Sequence, residues 1–193
     1  MKLSTERESG ARSEEHVLPA KQQSHGRIGE AAVTAKCWMN GIRAYNTAGL
    51  RANFAGSDLL VETADPRRKL WVQVKSGYPV RRDSVYLTQC TSESDRETDK
   101  FAADFIVFVN LEPNTAKAHD HDGSLKFEHL SFYVMPREQA NELFRRLVNE
   151  EEARPKRDGG QRSLENMAVH ASAADMDSYR DAWRLIRLAS GAV

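Results

Sequence analysis

Cysteine is nearly absent: Cys37 and Cys90 are the only two in 193 residues. Two thiols make neither a disulfide framework nor, alone, a zinc site, so a reducing, cytoplasmic setting is expected. Long apolar runs are missing too. The longest, such as Phe105 to Val109, fall far short of the roughly 18 residues that cross a bilayer. Residues 1–24 mix charges of both signs where a secretory signal would need an apolar core, so export is not expected either. Nor is there net charge, because 28 basic residues balance 28 acidic ones. A chain so balanced is no polycation, and a nucleic-acid site on it must be a local patch. No repeat, helix-turn-helix, zinc finger or stacking-aromatic motif is visible.

What is present is enough for one domain with tails, since 193 residues bury a real core. Residues 1–24 read as a polar, flexible extension and 25–150 as the core domain. From His25 the apolar positions Ile28, Ala31, Ala32, Ala35 and Met39 recur at helical spacing until Asn40-Gly41 stops them, which places Glu30 in the first turn. Short strands are expected at Ile42–Asn46, Ser57–Thr63 and Lys69–Ser76, the last two separated by the Asp65-Pro66-Arg67-Arg68 turn, as a three-stranded meander. Val85–Lys100 reads as a weak helix or a loop over the sheet. The continuous apolar run Phe105–Leu111 has the signature of a strand buried on both faces. Leu130–Met135 follows as another strand, and Pro136 opens a helix through Leu147. Residues 151–174 read as a linker and 175–193 as a terminal helix docking on the core through Met176, Tyr179, Trp183, Ile186 and Leu188, with Asp175 and Asp177 as N-caps.

Chemistry concentrates in two segments. Asp58 opens the run Asp58-Leu59-Leu60-Val61, and fifteen residues later comes Gln73-Val74-Lys75 in an alternating strand. Side chains alternate across a strand, so Gln73 and Lys75 emerge on one face while Leu70, Val72 and Val74 pack into the other. A carboxylate, an amide oxygen and the Val74 carbonyl are hard oxygen donors that suit magnesium better than zinc. Lys75 supplies a positive charge for a water or a phosphoryl oxygen. The plainer alternative is an exposed edge strand with a turn aspartate. The cluster His119-Asp120-His121-Asp122 lacks the spacing of ligands on one helix face and reads as a solvated turn.

Taken with Gly26-Arg27-Ile28-Gly29-Glu30 at the head of an alanine-rich helix, these segments resemble the PD-(D/E)XK nuclease superfamily, in particular its resolvase-like branch. The resemblance spans residues 26–111 and implies a restriction-endonuclease-like α/β fold: an α-β-β-β-α-β core with a mixed central sheet flanked by helices, here with an extra C-terminal helix. It implies Asp58 and Gln73 as metal ligands with the Val74 carbonyl, Lys75 assisting the attacking water, and Glu30 completing the site. It implies Mg2+, with Mn2+ able to substitute, and DNA as substrate. Two positions depart from the pattern: Ser57 stands where a proline is usual, and Gln73 where an Asp or Glu is usual. The second removes a negative charge from the metal site.

Basic residues near these segments are candidates for tracking a phosphate backbone: Arg43, Arg51, Arg67, Arg68, Arg81 and Arg82, with Lys69 beside them. Ordinary surface charge is the alternative. The expectation is therefore a magnesium-dependent DNA endonuclease. Its rivals are a decayed nuclease fold serving as a DNA-binding or protein-interaction module, and an unrelated small α/β protein. Cutting both strands calls for two active sites, and a homodimer is the commonest way to provide them.

Overall fold

The computed structural model describes residues 17–47, 56–81, 83–90, 98–111, 130–154 and 167–191, with side chains from His25 onward. The helical periodicity around Ala31 and Ala35 belongs to α1, Val17–Met39. This helix begins well before His25, inside the stretch expected to be a flexible extension. Glu30 therefore lies in mid-helix and not in the first turn. At the far end Asn40 turns its amide back to the Lys36 carbonyl at 2.8 Å, and Gly41 takes φ +73°, a left-handed stop of the kind glycine adopts without strain.

The meander is present as β1 (Ala44–Asn46), β2 (Leu59–Glu62) and β3 (Lys69–Gly77), paired antiparallel in succession. The next described segment corrects the sequence reading. Val85–Lys100, expected as helix or loop, begins with a strand, β4 (Ser84–Cys90), and residues 91–97 lie outside the described residues. Its Val85, Leu87 and Cys90 are fully buried. β5 (Phe105–Leu111) then returns parallel to β3, and β6 (Leu130–Pro136) pairs antiparallel on its other side. The result is a mixed five-stranded sheet of order β1-β2-β3-β5-β6. Buried along its whole length, β5 occupies the interior position that its apolar run implied.

Pro136 ends β6 and caps α2 (Arg137–Ala153). The region expected as linker holds structure instead: β7 (Met167–Ser172) pairs antiparallel with β4 as a separate two-stranded sheet, and α3 (Ala173–Met176) follows. Ser172, not Asp175 or Asp177, is the N-cap of α3. It forms a reciprocal capping box with Asp175. The expected single terminal helix is likewise broken, into α3, a 3-10 turn at Asp177–Tyr179 and α4 (Arg184–Ser190). The break sits at Asp181, whose φ is +46° and whose N–H donates to the Phe132 carbonyl on β6 at 2.9 Å. Anchoring the chain to the sheet there outweighs continuing the helix. Trp183 and Ile186 are buried as expected, whereas Leu188 is 76% exposed.

Two cores result, one on each face of the main sheet. Ala32, Val33 and Cys37 of α1 and Trp183 and Ile186 by α4 cover Leu59, Val72, Val74, Val107 and Phe132. On the other face, Phe144 and Leu147 of α2, together with Leu87 and Val169 of the small sheet, cover Ile106, Phe108 and Met135. β5 feeds both, alternating Val107 and Val109 to one core with Ile106 and Phe108 to the other. Asn110 ties the layers together: its Oδ1 accepts from the Tyr86 N–H at 3.1 Å and its Nδ2 donates to the Ser84 carbonyl at 2.9 Å. No described helix is long and apolar enough to cross a membrane.

Candidate active site

The alternation of β3 is as its sequence implies. Val72 and Val74 pack beneath α1, while Trp71 joins the opposite core, and the alternation puts Gln73 and Lys75 on Trp71's face. The exposed edge-strand alternative fails, because β3 lies inside the sheet and Gln73 is only 8% exposed. Lys75 is half-buried.

Asp58 is brought to this strand by the meander. Its N–H donates to the Val72 carbonyl at 2.9 Å, and its own carbonyl accepts from the N–H and the hydroxyl of Thr47 at 2.9 and 3.0 Å. With its backbone so held, the carboxylate Oδ2 accepts the Val74 N–H at 2.6 Å. Asp58 thus lies against the centre of the Gln73-Val74-Lys75 segment. Val74 itself has its side chain buried under the helix, which leaves only its backbone for the Asp58 side.

Glu30 arrives from α1. Its Oε2 accepts from the Asn46 amide at 2.8 Å, which ties it to the end of β1. In mid-helix the helix dipole gives a glutamate no particular advantage. The close approach has a steric cause at Gly29, where a Cβ would lie 2.7 Å from both Cβ and Oγ of Ser76 and 3.3 Å from Val74 Cγ1. Only glycine lets α1 settle this near β3. Ser76 adds a clasp by donating its hydroxyl to the His25 carbonyl at 2.8 Å.

Charges in the site act on one another. Burial raises the Asp58 pKa above its ordinary value, the Val74 N–H opposes that, Glu30 raises it further and Lys75 lowers it. Burial in turn lowers the Lys75 pKa, Asp58 opposes that, and Lys100 lowers it further. Glu30, Asp58 and Lys75 therefore share one electrostatic neighbourhood. Gln73 adds the unusual element. Its Oε1 is buried and accepts no hydrogen bond from any described residue, a condition that costs on the order of 1–3 kcal/mol in a folded interior. Gly56 lies beside its amide nitrogen, where an added Cβ would come into ordinary contact with Nε2 at 3.4 Å.

The donor types suit a divalent ion. Two carboxylates, a neutral amide oxygen without a partner among the described residues and the Val74 carbonyl are hard oxygen donors of the kind magnesium takes. Among the described residues no group of three His, Cys, Asp or Glu side chains could hold a metal, so any cation here needs Gln73 as well. His119–Asp122 lies outside the described residues.

The basic residues divide. Arg67 and Arg68 sit in the turn before β3, and Arg43 pairs with Glu62 at 3.2 Å beside them. That is the opposite end of β3 from Lys75, about 20 Å along the strand, so the expectation that they flank the site is corrected. The cause is the meander's turn, which sequence proximity hides. Arg81 is exposed at the near end, between β3 and β4. Arg51 and Arg82 lie outside the described residues.

Sequence reasoning missed a cavity of about 620 Å³ beside Lys75, between the end of β3 and the β4–β7 sheet, lined by Lys100, Tyr78, Tyr86, His25 and His170 among others. Nothing in the local sequence could have found it, since β4 and β7 lie about 80 residues apart in the chain.

No protein family matches this chain, and no curated protein does. Among solved structures, a bacterial homing endonuclease is similar at 18% identity and a TM-score of 0.47, over 87% of this chain and 92% of that one. At that distance two chains need share neither site nor substrate.

Proposed function

We propose that this protein is a metal-dependent nuclease that hydrolyses DNA phosphodiester bonds with an activated water. The observation that carries the reading is the buried Oε1 of Gln73, which has no partner among the described residues and belongs to the residue preceding the Val74 N–H that holds the Asp58 carboxylate. A structure that leaves a polar oxygen unpaired at a cost of this size calls for an occupant. Asp58 and Gln73 would hold Mg2+ or Mn2+ with the Val74 carbonyl, and Glu30 would complete the set. The ion, when bound, supplies Lewis-acid polarisation of the phosphoryl group and a more acidic water.

The chain's own residues then divide the work. Asp58, with a raised pKa and one oxygen already taken by the Val74 N–H, directs its remaining lone pairs at the site. Glu30 is oriented by Asn46. Lys75, whose burial depresses its pKa, holds the attacking water or takes its proton, and its cationic form balances charge that builds on the phosphoryl oxygens. Burial excludes competing water from Gln73.

A second reading has an observation of its own. Gln73 is neutral, so the site holds two carboxylates where a third would strengthen cation binding. On that reading the fold is a decayed nuclease that binds DNA or protein without cutting. Calorimetric titration with Mg2+ and Mn2+ separates the two, because the nuclease takes up metal and a decayed site takes up neither at millimolar concentration. Lys75→Ala should abolish cleavage of plasmid or branched DNA in magnesium while circular dichroism stays native. Unchanged cleavage by that variant sinks the mechanism. Cleavage of both strands in one encounter implies a homodimer, which sedimentation would register.

A further inference from the structure

We propose that the cavity beside Lys75 receives an unpaired nucleotide next to the scissile phosphate, so that the preferred substrate is DNA with a bulge, flap or other single-stranded interruption. This rests on the nuclease reading of the Asp58–Lys75 site and names its substrate class. At about 620 Å³ the cavity is in the range that encloses ligands of nucleotide size. It shares Val74 and Lys75 with the candidate active site, so whatever fills it lies against the reacting centre.

Its lining has the chemistry of single-strand recognition, which combines cations along the backbone with aromatic faces for the bases. Lys75 and Lys100 supply the positive charge. Rings come from two sides: His25 and Tyr78 meet edge-on with centroids 4.9 Å apart at the α1 end, and Tyr86 and His170 meet at 5.5 Å on the small sheet. The Tyr86 ring is seated directly on Gly77, where a Cβ would come within 2.3 Å of it, so this wall is fixed in place by the sequence.

The lining also holds a polar group with unmet hydrogen-bonding capacity. His170, which lines the cavity, keeps its Nδ1 buried with no hydrogen-bond partner among the described residues, and a turn of the ring toward the cavity would bring that atom to the donors and acceptors on the edge of an unpaired base. A paired base cannot offer that edge. B-form duplex keeps its bases stacked and their pairing edges engaged, so neither the rings nor His170 gain anything from intact double helix.

The test uses the full chain in metal-free buffer, where binding is read without cleavage. Fluorescence anisotropy compares a labelled duplex with the same duplex carrying a short unpaired bulge, and 2-aminopurine in the bulge reports stacking by its quenching. The bulged form should bind at least about tenfold tighter, with quenching on binding. His170→Ala should remove most of that preference while leaving plain-duplex affinity unchanged, and His170→Phe, which keeps a stacking ring, should restore part of it and part of the quenching. Equal affinity for the two DNAs, or a preference that survives both His170→Ala and Lys100→Ala in folded protein, overturns the proposal. Failure of the nuclease reading shows separately, as absence of cleavage of every DNA form by the native chain in magnesium.

Discussion

Asp58, a ligand in the proposed chemistry, also carries a cost in stability. Its folded-state pKa is raised, mainly by burial, so the native state binds this proton more tightly than the unfolded chain does. The sign follows from linkage: the contribution to stability is full at pH below the ordinary carboxylate value and is lost as pH rises through the raised one. At neutral pH the ionised group is therefore a burden, and Asp58→Asn should raise the melting temperature in metal-free buffer. The Asn carbonyl oxygen can still accept the Val74 N–H. The gain should shrink on acidification toward the ordinary carboxylate pKa, and cleavage should be lost, a trade of activity for stability. Differential scanning calorimetry at two pH values checks the pair of outcomes, and a destabilised Asn variant would contradict the assignment. The residue types at this site were legible in the sequence. The missing partner of Gln73 Oε1 was not, because an orphaned atom is defined by everything that surrounds it.

Between elements, the contact that matters most is α1 on β3. Two glycines fall inside this helix, and each costs about 1 kcal/mol of helix propensity relative to alanine. Their surroundings separate them. Nothing lies within 4 Å of a Cβ at Gly26, whereas at Gly29 that atom would strike Ser76 at 2.7 Å. Gly26→Ala should therefore stabilise by up to about 1 kcal/mol, and Gly29→Ala should destabilise by about 1–3 kcal/mol through overpacking. The second change should also reduce cleavage more than its stability loss explains, since it pushes Glu30 away from Asp58. Urea unfolding with parallel cleavage rates decides this. The apolar periodicity places the helix and the glycine but puts the helix start too late, because the polar run Lys21-Gln22-Gln23-Ser24-His25 interrupts it after the apolar first turn. β4 escaped it for a related reason: Ser84–Cys90 mixes Ser, Thr and Gln with its buried Val85 and Leu87, and only pairing with β7 makes that a strand.

At the scale of the molecule, the segment after α2 is part of both cores. Ala182, Trp183 and Ile186 belong to the core under α1, while Val169, Ala171 and Met176 belong to the one under α2. Trp183 is 4% exposed and packs on Phe132 with ring centroids 5.6 Å apart. Trp183→Ala should cost about 3–5 kcal/mol, enough to lower the melting temperature by many degrees. A chain ending before β7 should not fold cooperatively, because β4 would lose its one pairing partner among the described residues. A detachable linker and helix would instead leave thermal unfolding of the shortened chain intact.

The sequence alone determined the mixed α/β class, the meander, the doubly buried β5 run and the residue types of the candidate site. These follow from local periodicity and turn chemistry, which need no knowledge of distant neighbours. Tertiary structure decided that Glu30 sits in mid-helix, that Arg43, Arg67 and Arg68 stand a strand's length from Lys75, and that β4 and β7 wall a cavity beside it. Each depends on which segments pack together, and burial, register and the reach of a side chain are properties of that packing.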